Sequence, residues 1–332
     1  MLEIGVIGTG AIGKEHIQRI TDKVSGAQVT AVYDVFAEGA KAAAALCGAK
    51  VCDSEDELIA EVDAVVCTSI ADAHAETVLK CIAAGKPVFC EKPLAVTAAD
   101  AKRIVDAEVA SGKHLVQVGF MRRYDKGYQQ VKAMIESGEC GKPLMMHCAH
   151  RNPRVRPEYA DSWAVTGTAI HEIDCMHWLA DDEYVSAQVI FPKSTCYAKE
   201  GLHDPQMFLL KTKSGVLIDV EVFPECQFGY DIKCEVVCEN GIVLMPEPSF
   251  PMVRKDAKRS VALETDWKRR FIEAYDTEMQ DWVSAVEQGK VNGPTAWDGY
   301  FAAVTGDALL AAQVSGKIEP IDAGERPAFY NK

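Results

Sequence analysis

Between positions 163 and 178 the chain reads WAVTGTAIHEIDCMHW, placing His171, Glu172, Asp174 and His177 close together. Imidazoles and carboxylates at this density suit either a metal centre or proton transfer. His171-Glu172 begins like H-E-x-x-H, in which two histidines one helical turn apart hold a zinc ion. The position that needs the second histidine is Cys175, so the pattern fails. With 169–180 read as a helix, Ile170, Ile173 and Met176 share a buried apolar face. His171 then projects about 160° from Ile173, away from that face. Asp174 projects between the two histidines, and His177, on the edge of the apolar stripe, reads as a packing residue. No three or four ligands converge, so no metal is expected. His171 is left as a proton-transfer group, provided there is a site for it to serve.

Two other stretches could supply one. CEKPLAV at 90–96 places Lys92 just after an apolar run, at the edge of a sheet where ligands of doubly wound folds collect. An ammonium group there can hydrogen-bond or neutralise a reacting hydroxyl. IGVIGTGAIGKEHI at 4–17 spaces Gly8, Gly10 and Gly13 as G-x-G-x-x-G, with Ala11 and Ile12 between the last two. In that pattern the first glycine permits the tight turn and the second lets backbone approach a pyrophosphate. The third lets helix and strand pack closely, and the helix amides face the phosphates. Asp34 ends the next apolar run, where a carboxylate would accept a ribose 2′-hydroxyl. No Arg or Lys follows in YDVFAEG to hold a 2′-phosphate, so the cofactor expected is NAD rather than NADP.

The elements that must position these groups alternate regularly over the first 120 residues. Strand-like runs at 3–7, 28–34, 64–68, 87–90 and 114–119 are separated by helical segments at 38–46, 74–84 and 98–111. That alternation predicts βαβ units and a doubly wound, Rossmann-type parallel sheet of α/β class. Longer β-type runs follow at 183–191, 206–223 and 230–245, with turn signals at Lys213-Ser214-Gly215 and Glu239-Asn240-Gly241. They predict an α+β domain built on a mainly antiparallel sheet, with helices at 267–287 and 297–314 behind it. The expected domains are 1–122 and 123–332.

Composition narrows the function class. A net charge of -14 argues against nucleic acid, whose phosphates need clustered Lys and Arg. No run of apolar residues is long enough for a membrane helix, and MLEIGVIGTG does not resemble a secretory leader. Twelve cysteines occur without any C-x-x-C, most of them in apolar runs, as expected of free core thiols in a reducing cytoplasm.

The glycine loop, Asp34, EKP at 91–93, GFMRRY at 119–124, HRNP at 150–153 and HEID at 171–174 together resemble the Gfo/Idh/MocA oxidoreductases. FGYDIKCE at 228–235, PEPS at 246–249 and GPTAWDGYFAAVT at 293–305 extend the likeness nearly end to end and are similar to the inositol-oxidising branch. The resemblance implies an open-faced second sheet used in oligomerisation, commonly as a tetramer, and oxidation of a ring secondary alcohol with NAD. Lys92 matches the catalytic lysine, whose bond to Pro93 is often cis, and His171 matches the catalytic histidine. Arg122, Asn152 and Tyr230 match substrate-side positions, while Ser69, His74, Glu91 and Met121 lie in segments lining the cofactor.

One position departs from that pattern. Inositol dehydrogenases carry an aspartate four residues before the catalytic histidine, and here Gly167 stands in its place. An orienting carboxylate of this kind can be worth orders of magnitude in rate. Oxidation releases a proton that a histidine is suited to take near neutral pH, so His171 is expected as general base and Lys92 as the group that steadies the alkoxide. Lys92 as the base itself is the alternative. Arg151, Arg154 and Arg156 could add donors to the site or lie in a solvated loop. The leading expectation is NAD-dependent oxidation of a cyclic polyol, myo-inositol first. The alternatives are a sugar, glycoside or other inositol isomer, and an NAD-binding regulator without turnover.

Overall fold

The structure, a computed structural model, describes residues 1–331 and divides into two compact units. The first comprises residues 1–121, 275–304 and 323 onward; the second comprises 122–274 and 305–322.

In the first unit β1 (Leu2–Ile7), α1 (Ala11–Asp22), β2 (Ala27–Tyr33), α2 (Ala37–Cys47), β3 (Lys50–Val51) and α3 (Glu55–Glu61) lead into β4 (Ala64–Cys67), α4 (Ala71–Ala83), β5 (Val88–Glu91), α5 (Ala98–Ser111) and β6 (Val116–Gly119). The strands form one sheet in the order β3-β2-β1-β4-β5-β6, every pair parallel. β4, β5 and β6 are buried at every residue, as burial on both faces requires. Helix starts follow local chemistry: Ser54 accepts the Glu57 amide at 3.1 Å and Thr97 the Asp100 amide at 3.1 Å.

In this division two carboxy-terminal segments, 275–304 and 323 onward, group with the first unit. The reason is packing. Met279, Trp282, Val283 and Val286, from the helix at 267–287, recur at helical spacing. They join one core with Ile4, Val6, Val29, Val66 and Phe89.

The second unit carries α6 (Lys126–Ser137), β7 (Pro143–Arg151), a short turn α7 (Asp161–Trp163), a π-helical segment at 164–169 and α8 (Ile170–Ala180). Strands β8 (Tyr184–Ile190), β9 (Gln206–Thr212), β10 (Leu217–Phe223), β11 (Asp231–Cys238) and β12 (Ile242–Leu244) follow, then the hairpin β13 (Met252–Lys255) and β14 (Lys258–Val261). Helices α9 (Trp267–Glu287) and α10 (Ala296–Ser315) precede β15 (Glu319–Pro320). The seven-stranded sheet runs β12-β11-β7-β10-β9-β8-β15; only β7–β10 is parallel.

α8 packs on this sheet through Met176, whose sulfur lies 3.1 Å from Cys148 and 4.0 Å from Cys234. The one-sided amphipathic helix expected from sequence is in fact buried all round, Glu172, Asp174 and His177 included. Buried charges of this kind persist only when paired, and here arginines from just before α6 supply the partners: Arg123 for Asp174 and Arg122 for Glu172.

Candidate active site

The first unit builds a nucleotide cradle in which the three glycines have three different reasons to be glycine. Gly8 has φ +92°, and a side chain there would meet the Ser69 backbone at 2.3 Å. Gly13 sits where a Cβ would lie 2.1 Å from the Gly8 carbonyl, so the start of α1 can press against the turn. A Cβ on Gly10 would meet nothing within 4 Å, which leaves the approach to the helix start open. Gly10 also begins α1 without a side-chain cap, so the amides of Ala11, Ile12 and Gly13 at the helix start are presented to that approach. Thr68, unnoticed in the sequence, pins the turn by donating to the Gly8 carbonyl at 2.6 Å.

Asp34 closes the other side. It accepts the Thr9 amide at 2.6 Å, the Thr9 hydroxyl at 2.8 Å and the Phe36 amide at 2.9 Å. Partial burial works against its charge, but the Phe36 and Thr9 donors and Lys14 together hold it below the usual carboxylate range. Val35 and Phe36 beside it are exposed, apolar surface of the kind a nucleobase can cover.

Lys92 follows β5 half-buried, and its bond to Pro93 is cis. Beneath it runs a buried chain that sequence reading missed. Arg19 donates to His16 Nδ1 at 3.0 Å, His16 Nε2 lies 2.9 Å from Glu91 Oε1, and Glu91 Oε2 accepts the Lys92 amide at 3.1 Å. Burial raises the Glu91 carboxyl, yet His16 and Lys92 bring it below its ordinary value. The spacing of His16 and Arg19, three apart on one helix face, was the available signal. His74 bonds the carbonyls of Pro93 at 2.7 Å and Ser69 at 3.1 Å, tying the two loops together. One of its ring nitrogens lies within 4.8 Å of the Cys67 and Cys90 sulfurs, but both nitrogens already have those carbonyl partners. Met121 is buried at the end of this unit.

The second unit holds the remaining expected residues. His171 lies in the first turn of α8, just after the π-helical segment, and is 8% exposed, its ring 6.3 Å from that of His150. π-helical segments commonly mark functional positions. Gly167 lies inside this one, and a Cβ there would meet nothing within 4 Å. Asp161 accepts from the His203 amide and ring and from Gln206, and Asp174 is bound to Arg123. Asn152 leaves β7 with its backbone tied to Phe223 and Cys226.

Arg122, matched to a substrate position, is buried and tied to its neighbours. Its guanidinium is 1% exposed, pairs with Glu172 and lies 3.1 Å from His150 Nδ1. His150 Nδ1 is 3.0 Å from the other Glu172 oxygen, and its Nε2 is 3.5 Å from the Tyr230 hydroxyl. Burial alone would lift Glu172, but Arg122 and His150 hold it ionised below the usual range. Burial pushes the Tyr230 hydroxyl up to about 12. Among the arginines of HRNPRVR, Arg151 turns away from this network, because neighbouring strand residues face opposite sides of a sheet. It binds Glu221 and Asp231, each at 2.7 Å, while Arg154 and Arg156 are exposed.

Open space at Gly10, uncapped amides on α1 and an ionised Asp34 fit a dinucleotide. Comparisons with known proteins agree with that reading. Residues 2–120 match the model of an oxidoreductase family with an NAD-binding Rossmann fold, and 132–322 match its C-terminal alpha/beta domain. An inositol 2-dehydrogenase of Azotobacter vinelandii is 58% identical, covering 99% of this chain and 98% of its own length. One from Serratia proteamaculans is 55% identical over 100% of this chain and 99% of its own. A crystal structure of myo-inositol dehydrogenase from Lactobacillus casei, in complex with NAD(H) and myo-inositol, superposes with a TM-score of 0.98 at 43% identity, covering all of both chains.

Proposed function

We propose that this chain, which belongs to the Gfo/Idh/MocA oxidoreductase family, is an NAD-dependent dehydrogenase of a cyclic polyol, oxidising myo-inositol to 2-keto-inositol. The observation that carries the reading is the whole-length likeness to inositol 2-dehydrogenases, which takes in both the nucleotide cradle and the histidine-bearing unit. NAD, when bound, supplies the hydride acceptor. The chain's own residues handle the proton and the developing charge.

His171 takes the alcohol proton, a task for which imidazole is matched near neutral pH. The Lys92 ammonium lowers the alcohol's pKa and steadies the alkoxide. Gly8, Gly10 and Gly13 leave room for the pyrophosphate, and Asp34 accepts a ribose hydroxyl. Ser69, His74, Glu91 and Met121 shape the nicotinamide side; Asn152 and Tyr230 hold ring hydroxyls. A second reading keeps the chemistry and widens the substrate to another inositol isomer, a sugar or a glycoside. The open space beside Gly167 favours it.

Assembly as a homo-oligomer, a tetramer by family likeness, would use the uncovered face of the seven-stranded sheet, where Met145 and Leu217 are exposed. Twelve free cysteines and the lack, among the described residues, of a helix long and apolar enough to cross a membrane support residence in a reducing cytoplasm.

The test is NADH formation, followed by its near-ultraviolet absorbance, with a panel of inositols, hexoses and glycosides. Activity on myo-inositol is the expected outcome. Activity on sugars alone would select the second reading, and none at all, with NAD still bound, would overturn both. Lys92→Ala should lower turnover about a hundredfold or more while NAD binding persists. Normal turnover would remove Lys92 from the mechanism.

A further inference from the structure

Cys67 and Cys90 stand side by side near the carboxyl ends of neighbouring strands in the nucleotide-binding unit. They are register partners on β4 and β5. Partners across neighbouring strands have Cα atoms about 4.8 Å apart and side chains on the same side of the sheet. Their sulfurs lie within 4.8 Å of each other. A disulfide accepts Cα separations of roughly 4.4–6.8 Å, so this pair can be joined with little movement of the backbone.

The two thiols are not equivalent. The Ser69 hydroxyl is 3.6 Å from the Cys67 sulfur, and His74 lies within 4.8 Å of it. A hydrogen bond from Cys90, helped by the His74 imidazole and the Ser69 hydroxyl and amide, outweighs burial and brings the Cys67 thiol below its usual range. Burial and the neighbouring Cys67 sulfur push Cys90 well above that range. The Cys90 hydrogen can go to Cys67 or to the Glu91 carbonyl at 3.3 Å, and either way Cys90 is the protonated partner. One sulfur is thus a nucleophile, with a second thiol beside it to resolve what it forms.

Resting on the reading of this unit as the NAD cradle, we propose that Cys67 and Cys90 are an oxidation site for peroxide, whose disulfide weakens NAD binding. The Cys67 thiolate attacks hydrogen peroxide, the O–O bond breaks, and hydroxide leaves a sulfenic acid on Cys67. Cys90 then attacks that sulfur. The S–S bond forms as the S–O bond breaks, and the Cys90 proton departs with the hydroxide as water. Both sulfurs are fully buried, but Ser69, beside Cys67, is only half-buried, and peroxide is hardly larger than water. Each cysteine adjoins part of the cradle: Thr68 donates to the Gly8 carbonyl at 2.6 Å, and Glu91 accepts the Lys92 amide at 3.1 Å. Closing the sulfurs to the roughly 2.05 Å of a disulfide draws these two loops together and distorts the turn at Gly8. By linkage, bound NAD opposes the oxidation.

The unsubstituted protein, treated with hydrogen peroxide and digested without reduction, should yield a peptide pair joined through Cys67 and Cys90 in the mass spectrum. NADH affinity, read by fluorescence, should fall about tenfold or more and return on treatment with dithiothreitol. Saturating NAD during the treatment should slow the cross-link. Cys67→Ser should keep its NADH affinity through the same exposure, and Cys90→Ser should accumulate a Cys67 sulfenic acid that dimedone traps. Oxidation confined to the exposed Cys196, a link from Cys67 to any cysteine other than Cys90, or a Cys67–Cys90 link that leaves NADH affinity unchanged would overturn the proposal. Reduced protein that fails to bind NADH would strike the cradle reading and the proposal with it. Reduced protein that binds NADH but never forms the link strikes the proposal alone.

Discussion

Each unit buries an arginine, a histidine and a glutamate in one hydrogen-bonded set, and the two sets are wired differently. In the nucleotide-binding unit the wiring is a line. Arg19 can only donate, so His16 Nδ1 accepts, Nε2 holds the proton, and that proton goes to Glu91. Both nitrogens are consumed, and the line ends on the Lys92 amide. In the second unit the wiring is a triangle. Arg122 and Glu172 meet each other and the same nitrogen of His150, which leaves the other nitrogen facing Tyr230.

The sharpest way to break this comparison is stability. Glu172→Ala strands a guanidinium that is 1% exposed, a loss expected to cost about 3–5 kcal/mol. Glu91→Ala strands an imidazole and a backbone amide, for about 1–3 kcal/mol. Urea unfolding of the two variants checks the order, and an equal or larger cost at Glu91 would show that the line is as charge-dependent as the triangle.

A smaller effect is expected in acid. Both glutamates are held below their ordinary values in the folded protein. The stability they contribute is therefore present above the unfolded carboxylate pKa of about 4.3 and is lost as pH falls through their depressed folded values. Glu91→Gln and Glu172→Gln should each be less stable than the parent at neutral pH and converge on it in acid. A constant gap down to the lowest pH at which the protein stays folded would contradict that linkage.

Smallest of all is Gly167→Asp. Its Cβ would meet nothing within 4 Å, so unfolding free energy should change by about 0.5 kcal/mol or less. A rise in kcat/KM for myo-inositol would show that the carboxylate position is vacant in function as well as in sequence. Unchanged activity would mean that another group already does that work.

Much of the nucleotide cradle was legible before any coordinates, because its chemistry is local. Gly8, Gly10 and Gly13 sit in one turn, and Asp34 closes the strand that follows it. The second unit was harder to read. His171 and Gly167 could be picked out along a helix, but the burial of that helix on all sides could not, since its polar residues look solvated until Arg122 and Arg123 arrive to pair with them. Glu172 seemed half of a failed zinc pattern, and His150 merely the residue before three arginines. Arg151 could have added a donor to the site or lain in a solvated loop, and strand alternation instead sends it to the other face with Glu221 and Asp231. The return of residues 275–304 to the first unit was hidden for a similar reason: the apolar stripe at Met279, Trp282, Val283 and Val286 says that a face is buried, not against what.

By itself the amino-acid sequence determined the alternating strands and helices, the dinucleotide turn with its NAD-type carboxylate, the lysine and histidine suited to alcohol oxidation, and the empty carboxylate position at Gly167. All of these depend on residues within a turn or a few turns of one another, or on side-chain chemistry alone. Tertiary structure decided which charges are paired, which groups surround each buried histidine, and that Arg122 meets Glu172 and His150. Those outcomes depend on contacts between residues dozens of positions apart, and in a buried, low-dielectric interior such contacts set the protonation of a group more strongly than its sequence neighbours do.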